Sequence, residues 1–247
     1  MKRHIFLSPD SMRGERVTIE GENYHYLKNV LRVRRGEKLD AVIGDGRYQL
    51  LVSSVGGGAI LCEVIGKRDV QSRSMVRINV YLGLLKSKKM DYAVAKLSEM
   101  GVEGLFPLKT GRTVPAGEPG TKKSNRWEKI AQEGSKVSGA EKVMKVFPLR
   151  PLDDVINGLS EEEGEFRLVF STEEPNEPYR KVLDSIKLQD EMVFHLFFGP
   201  EGGFTAEELH ALSFLGVKAV TMGKYVLKSE TAAIIGTGFL RVYYAGL

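Results

Sequence analysis

From residue 77 to the end of the chain, short apolar runs alternate with stretches of helical period, and few architectures accommodate that alternation. The runs "RINVYLGLL", "VEGLFPL", "FRLVFST", "MVFHLFF" and "VKAVTMG" have the length and composition of strands. Between them, Met90, Ala93, Val94 and Leu97 share one helical face up to Gly101. Ser124 stands as an N-cap ahead of Trp127, Ile130 and Ala131, and Thr205 with Glu208 forms a capping box before "LHALSFLG". A long closing helix begins at Ser229, itself in cap position. Strand and helix in turn predict a mostly parallel sheet with helices on its faces, in a domain spanning 77–247. Residues 113–124 read as a loop, and "EEEGE" at 161–165 as a solvated turn.

The first 70 residues follow a different rule. "RHIFLS" and "RVTIE" alternate like strands, Asp45-Gly46 marks a hairpin between "KLDAVIG" and "RYQLLVSSV", and Gly56-Gly57-Gly58 turns the chain into "AILCEVIGKRD". Only "ENYHYLKNVLR" breaks the pattern, with Tyr26, Leu27, Val30 and Leu31 at helical spacing. This reads as a small β-barrel domain, residues 1–70, joined by a linker at 71–76.

The stretch "FFGPEGGF", residues 197–204, lies between a strand and a capped helix. Its three glycines expose amide groups and let a ligand approach the backbone, while Pro200 stiffens the turn. A Walker loop requires Gly-Lys-Ser or Gly-Lys-Thr, and Phe204 follows Gly203 here; the dinucleotide fingerprint Gly-x-Gly-x-x-Gly is also absent. The Glu201 carboxylate repels phosphate, so the loop suits a ligand with donors or positive charge. A second glycine turn follows Met222, and a third strand ends at Ser171. Three such turns at one sheet edge make a pocket.

Composition narrows the partners. At 42% hydrophobic and 28% charged the chain has the make-up of a globular domain. No apolar run reaches the ~18 residues of a membrane span, "MKRHIFLSPD" has no signal-peptide core, and a cytoplasmic location is expected, with no membrane partner. One cysteine, Cys62, reads as a buried strand residue, and four scattered histidines predict no metal site. The net charge of +4 conceals an asymmetry: residues 1–150 hold 28 Lys plus Arg against 16 Asp plus Glu, whereas residues 151–247 hold 8 against 16. A basic front half, with Arg32, Arg34 and Arg35 clustered in "RVRRG", points to nucleic-acid phosphates.

The blocks "HYLKNVLRVRRGEKL", "LLKSKKMDYAVAKLSEMGV", "RW" at 126–127, "FFGPEGGFTAEEL" and "LKSETAA" resemble the RsmE family, ribosomal RNA uridine N3-methyltransferases of the SPOUT superfamily. The resemblance implies an α/β fold in which a SPOUT-type trefoil-knotted domain follows a PUA-like barrel. It implies S-adenosylmethionine as methyl donor, 16S ribosomal RNA of the small subunit as substrate, and a homodimer whose sites use both subunits. The last helix adds its own argument for a dimer, since Ala233, Ile234, Gly236, Thr237, Phe239, Leu240 and Tyr243 surround too much of its circumference for one sheet to cover.

Carried over residue by residue, the resemblance assigns the cofactor to Ser171, Thr172, Gly199, Pro200, Gly202, Met222, Gly223, Val226 and Leu227. For the chemistry, Glu201 or Glu230 is the candidate base and Lys228 the candidate cation. RNA contacts fall to Arg32, Arg34, Arg35, Lys88, Lys89 and Arg112. The chain departs from the family pattern where Tyr225 and Lys228 replace two arginines, and again at Val137 to Ala140. Lysine cannot copy a bidentate guanidinium. A methyltransferase acting on another RNA nucleotide, and a non-catalytic RNA-binding descendant, stay open as alternatives.

Overall fold

The computed structural model describes residues 4–44, 46–68, 76–113, 121–138, 140, 142–158, 164–173 and 175–245. The chain divides into two compact units, Met1–Arg73 and Ser74–Leu247.

In the first unit, β1 (His4–Leu7), β2 (Met12–Arg13), β3 (Arg16–Ile19), β4 (Lys38–Ile43), β5 (Gly46–Gly56) and β6 (Ala59–Arg68) form one sheet in the order β1-β4-β5-β6-β3-β2. All its pairings are antiparallel except that of β1 with β4. Alternate residues Leu39, Ala41 and Ile43 of β4 meet Leu50, Val52, Ile60 and Cys62 in the core. Burial pushes the Cys62 thiol up to about 12, so it stays a neutral packing group.

Two local features differ from the sequence pattern by a residue or a face. The first hairpin closes at the Ile43–Gly46 pair, with Gly44 at φ 58° and Gly46 already in β5; Asp45 lies outside the described residues. The helical segment starts as α1 (Gly21–His25) and widens into a π-helical turn over Tyr26–Val30. That widening rotates the face. Tyr24 and Leu27 are buried, while Val30 is 65% exposed rather than inward.

The second unit is a fully parallel eight-stranded sheet. It comprises β7 (Val76–Gly83), β8 (Gly104–Lys109), β9 (Lys145–Val146), β10 (Arg150–Pro151), β11 (Glu165–Phe170), β12 (Glu177–Pro178), β13 (Met192–Phe198) and β14 (Lys218–Thr221). The order is β10-β8-β7-β13-β11-β14-β12, with β9 pairing β8. Its helices are α2 (Ser87–Glu99), α3 (Thr121–Ser138), α4 (Leu152–Ile156), α5 (Tyr179–Ser185), α6 (Ala206–Phe214) and α7 (Ser229–Tyr243).

The almost continuous apolar character of "MVFHLFF" follows from its central place, covered on both faces. Met192, Phe194, Leu196 and Phe198 join the cluster that holds Met90, Ala93, Val94 and Leu97 of α2 with Ala233 and Leu240 of α7. Phe197 points the other way, to Leu152 of α4 and Leu212 of α6. Each large side chain so buried contributes about 1.5–3 kcal/mol. The polar exception in β13, His195, lies with Nδ1 3.2 Å from the Tyr81 hydroxyl and Nε2 3.3 Å from Glu165. Burial lowers its pKa, the Glu165 carboxylate opposing.

Several boundaries differ from those expected on sequence. Val76 is already a buried residue of β7, not linker. Helix α3 begins at Thr121, so Ser124 lies inside it rather than capping it; of the expected loop, 114–120 lie outside the described residues. Glu165 is the first residue of β11 and pairs with Arg167 at 3.0 Å, which sets it apart from a solvated turn.

Candidate active site

A parallel sheet places every strand's carboxyl end on one edge. From that edge leave the connections after β8, β11, β13 and β14, and they wall one cavity of about 230 Å³. It sits where the strand order reverses: β13 lies between β7 and β11 although it follows both in the chain. Phe170, Phe198 and Val220 give the lining its apolar part.

The loop after β13 is folded back on itself. Gly203 donates its N–H to the Pro200 carbonyl at 2.9 Å, closing a turn over Glu201 and Gly202. A Cβ on Gly199 would stand 2.9 Å from the Gly203 Cα and carbonyl carbon and from the Phe204 nitrogen, so only glycine permits this approach. The expected capping box is present downstream: the Glu208 amide donates to Thr205 Oγ1 at 3.2 Å, and the Thr205 amide to Glu208 Oε2 at 2.8 Å.

Side chains from other elements fix the loop in place. The Ser229 hydroxyl donates to the Pro200 carbonyl at 2.7 Å. This corrects its expected role, since Lys228 is the N-cap of α7 and makes no side-chain cap bond. Arg112 Nη1 donates to the Gly202 carbonyl at 3.0 Å, and the Gly111 amide donates to Glu208 Oε1 at 2.7 Å. Glu201 accepts from Lys89 Nζ at 3.1 Å and from the Lys86 amide at 3.4 Å, at the N-terminal end of α2. Burial raises the Glu201 pKa, but the bonds from Lys89, its own amide and the Lys86 amide outweigh it and hold the carboxyl below its ordinary value.

The nine residues Ser171, Thr172, Gly199, Pro200, Gly202, Met222, Gly223, Val226 and Leu227 all line this cavity, as do Glu201 and Arg112. Lys228 and Glu230 are not among the lining residues; Glu230 Oε2 is buried and without a hydrogen-bond partner among the described residues. Arg112, assigned to RNA on sequence, is a wall residue that also lies 3.8 Å from Glu173. Lys89 is engaged with Glu201, whereas Lys88 is exposed. In the first unit Arg32, Arg34 and Arg35 are exposed, and Arg32, at φ 51°, is the non-glycine residue held in the left-handed region among the described residues.

Sequence reasoning missed Phe170 and Phe198, whose only signal was their place at strand ends; Glu173 lies in the stretch "STEE" that reads on sequence as a third wall. Taken together the lining offers main-chain donors and acceptors, flat apolar rings, two carboxylates and one cation already engaged. Such a site fits a heteroaromatic ligand bearing positive charge better than a polyphosphate.

Comparison with known proteins agrees with this geometry. Residues 72–241 match the model of the RNA methyltransferase domain, and residues 19–65 that of the RNA methyltransferase PUA domain. The chain belongs to the RNA methyltransferase domain family. Among curated relatives, the ribosomal RNA small subunit methyltransferase E of Bacillus subtilis is 24% identical over 225 residues, covering 88% of this chain and 86% of its own. That of Aquifex aeolicus is 27% identical over 235 residues, covering 94% and 96%. A solved structure of the Neisseria gonorrhoeae enzyme of that name, bound to S-adenosyl methionine, superimposes with a TM-score of 0.84 at 22% identity over 98% of both chains. This RNA methyltransferase therefore has the mixed α/β architecture with a parallel sheet that the RsmE resemblance implies, with a PUA domain ahead of the α/β unit. Among its described residues no helix is long and apolar enough to cross a membrane.

Proposed function

We propose that this chain transfers the methyl group of S-adenosylmethionine to N3 of a uridine in 16S ribosomal RNA of the small subunit, acting in the cytoplasm. The observation that carries the reading is the cavity at the strand-order reversal, walled by the 199–203 and 222–227 loops. The residues present fit the cofactor: backbone amides and carbonyls suit the adenine edge, Phe170 and Phe198 suit its face, and Glu201 and Glu173 suit a cation. When bound, the cofactor supplies a methyl group already activated by its sulfonium. The protein's task is then alignment and the handling of one proton.

Of the three candidate catalytic residues, Glu201 alone lines the cavity, and the reading gives it the proton from N3. The Lys89 ammonium beside it offsets charge developing on the uracil oxygens, a role first given to Lys228. Arg32, Arg34 and Arg35 hold RNA phosphates, the barrel domain comprising 1–70 and the methyltransferase domain 77–247. The reading includes the trefoil threading, supported by α7 packing on β7, β13 and α2 while Ser229 secures the 199–203 loop. It also includes a homodimer, supported by an outward stripe on α7 of Ile235, Phe239 and Val242, the last 75% exposed.

Calorimetry with S-adenosylmethionine, followed by methyl transfer to small-subunit RNA from a strain lacking the endogenous modification and mass mapping of the product, tests the reading. A protein that binds no S-adenosylmethionine refutes it. Methylation at another nucleotide would favour the second reading, for which Tyr225 and Lys228 in the cofactor loop are the specific observation. Sedimentation at micromolar concentration tests the dimer, and an active monomer overturns it.

A further inference from the structure

The loop between β14 and α7 reads Lys224-Tyr225-Val226-Leu227-Lys228. Tyr225 lines the cavity yet is 75% exposed, and Val226 beside it is 80% exposed. Lys224 Nζ stands 5.0 Å from the centre of the Tyr225 ring, and Lys224 and Lys228 are both exposed. An aromatic ring left in water at the mouth of a cavity gains no burial energy from the fold, so the face turned away from the Lys224 ammonium is available to a ligand. Alternating cations and an aromatic ring are the make-up of a single-strand nucleic-acid platform, the cations following phosphates and the ring stacking on a base. A base paired within a helix is already stacked and closed to such a ring, whereas a base in a loop or single strand is open to it.

We infer that Tyr225 is the stacking platform for the unpaired RNA base presented to the cavity, with Lys224 and Lys228 taking the flanking phosphates. The inference rests on the methyl-transfer reading above and names the substrate class, an unpaired segment of RNA.

The test compares the full-length protein with Tyr225→Ala and Tyr225→Phe for binding to a ten-nucleotide oligouridine and to an RNA duplex of equal length. Calorimetry with S-adenosylmethionine and sedimentation run in parallel. Tyr225→Ala should weaken oligouridine binding between about 5- and about 150-fold, the equivalent of one stacked base. Tyr225→Phe should restore it, duplex binding should be unchanged, and the salt slope should stay at the wild-type value. Lys224→Ala should instead lower that slope by about 0.7. Wild-type protein that does not bind oligouridine, or Tyr225→Ala that binds it as tightly as wild type, overturns the inference. So does a matching loss of S-adenosylmethionine affinity, which would place the ring against the cofactor, or a lowered sedimentation coefficient, which would make it a subunit contact. Failure of wild-type protein to bind S-adenosylmethionine refutes the methyl-transfer reading alone, since the oligouridine series reads Tyr225 independently.

Discussion

Gly199→Ala separates the geometry of the glycine loop from its composition. The added Cβ would meet three main-chain atoms, the Gly203 Cα and carbonyl carbon and the Phe204 nitrogen, each at 2.9 Å. Backbone that is hydrogen-bonded from Gly203 to Pro200 and anchored by Ser229 cannot swing aside as a side chain can. Overpacking of this kind costs about 1–3 kcal/mol. In a unit of this size each kcal/mol moves the unfolding midpoint by about 2–4 °C, so the expected fall is about 2–12 °C. Gly202→Ala is the control. Its Cβ would lie 3.1 Å from Arg112 Cβ, 3.5 Å from Arg112 Cδ and 3.7 Å from the Arg112 carbonyl oxygen, which asks for a smaller displacement than the three 2.9 Å contacts at Gly199. Thermal unfolding should rank the two variants in this order. Calorimetry should show Gly199→Ala losing S-adenosylmethionine affinity by at least about tenfold, the result of about 1.4 kcal/mol of misplacement. Equal midpoints for Gly199→Ala and wild type, or a larger effect at Gly202, would refute the argument that the loop closes on its own backbone.

Three further outcomes follow from the same structure. Glu201 has a folded-state pKa below its ordinary 4.5, so its contribution to stability is present above that pH and is lost as pH falls through the folded value. Thermal unfolding between pH 3 and 6 should show that loss in wild type and a shallower curve in Glu201→Gln, and superimposable curves would contradict the pairing with Lys89. Arg241 donates to three main-chain carbonyls, Met100 at 3.0 Å, Val76 at 2.6 Å and Gly101 at 2.5 Å; Arg241→Met should cost at least about 3 kcal/mol in urea unfolding, and a near-neutral variant would show that water replaces the guanidinium. Replacing Arg32, Arg34 and Arg35 by alanine should flatten the salt dependence of RNA binding by up to about 0.7 for each single-strand phosphate that is no longer neutralised, whereas an unaltered slope would make the cluster a solvated surface.

The α/β order was legible because β7, β8, β11, β13 and β14 are apolar runs bounded by turns, and because Met90, Ala93, Val94 and Leu97 do share a buried face. Less legible were features set by tertiary contacts. The π-helical turn at Tyr26–Val30 shifted the inward face from Val30 to Tyr24, and no periodicity argument contains such a turn. Ser229 reads as a cap on sequence, but it is the first residue of α7 and its hydroxyl is used by a carbonyl 29 residues away. Local spacing records the helix start and not the competing acceptor. At the site, glycines announced where the backbone is open, while Phe170 and Phe198 enter the cavity through strand register, which sequence alone leaves undetermined.

The division of labour around the cavity has a consequence for how substitutions act. Much of what faces the ligand space is main chain, from Gly199, Gly202, Gly203 and Gly223, and it is positioned by side chains whose own partners are protein groups. Ser229 is committed to Pro200, Arg112 to Gly202, and Glu208 to Gly111 and Thr205. Removing one of these side chains therefore changes the position of amides rather than deleting a ligand contact, and a misplacement of under an ångström is enough to weaken a hydrogen bond. The exposed Lys224–Tyr225 pair is the opposite case, since its ring and ammonium have no acceptor or core contact to satisfy among the described residues. Substitutions in the fixed loops should act on stability and cofactor affinity together. Those at Lys224 and Tyr225 should act on RNA alone, which is how one edge of a parallel sheet can keep its cofactor chemistry while its nucleotide preference changes.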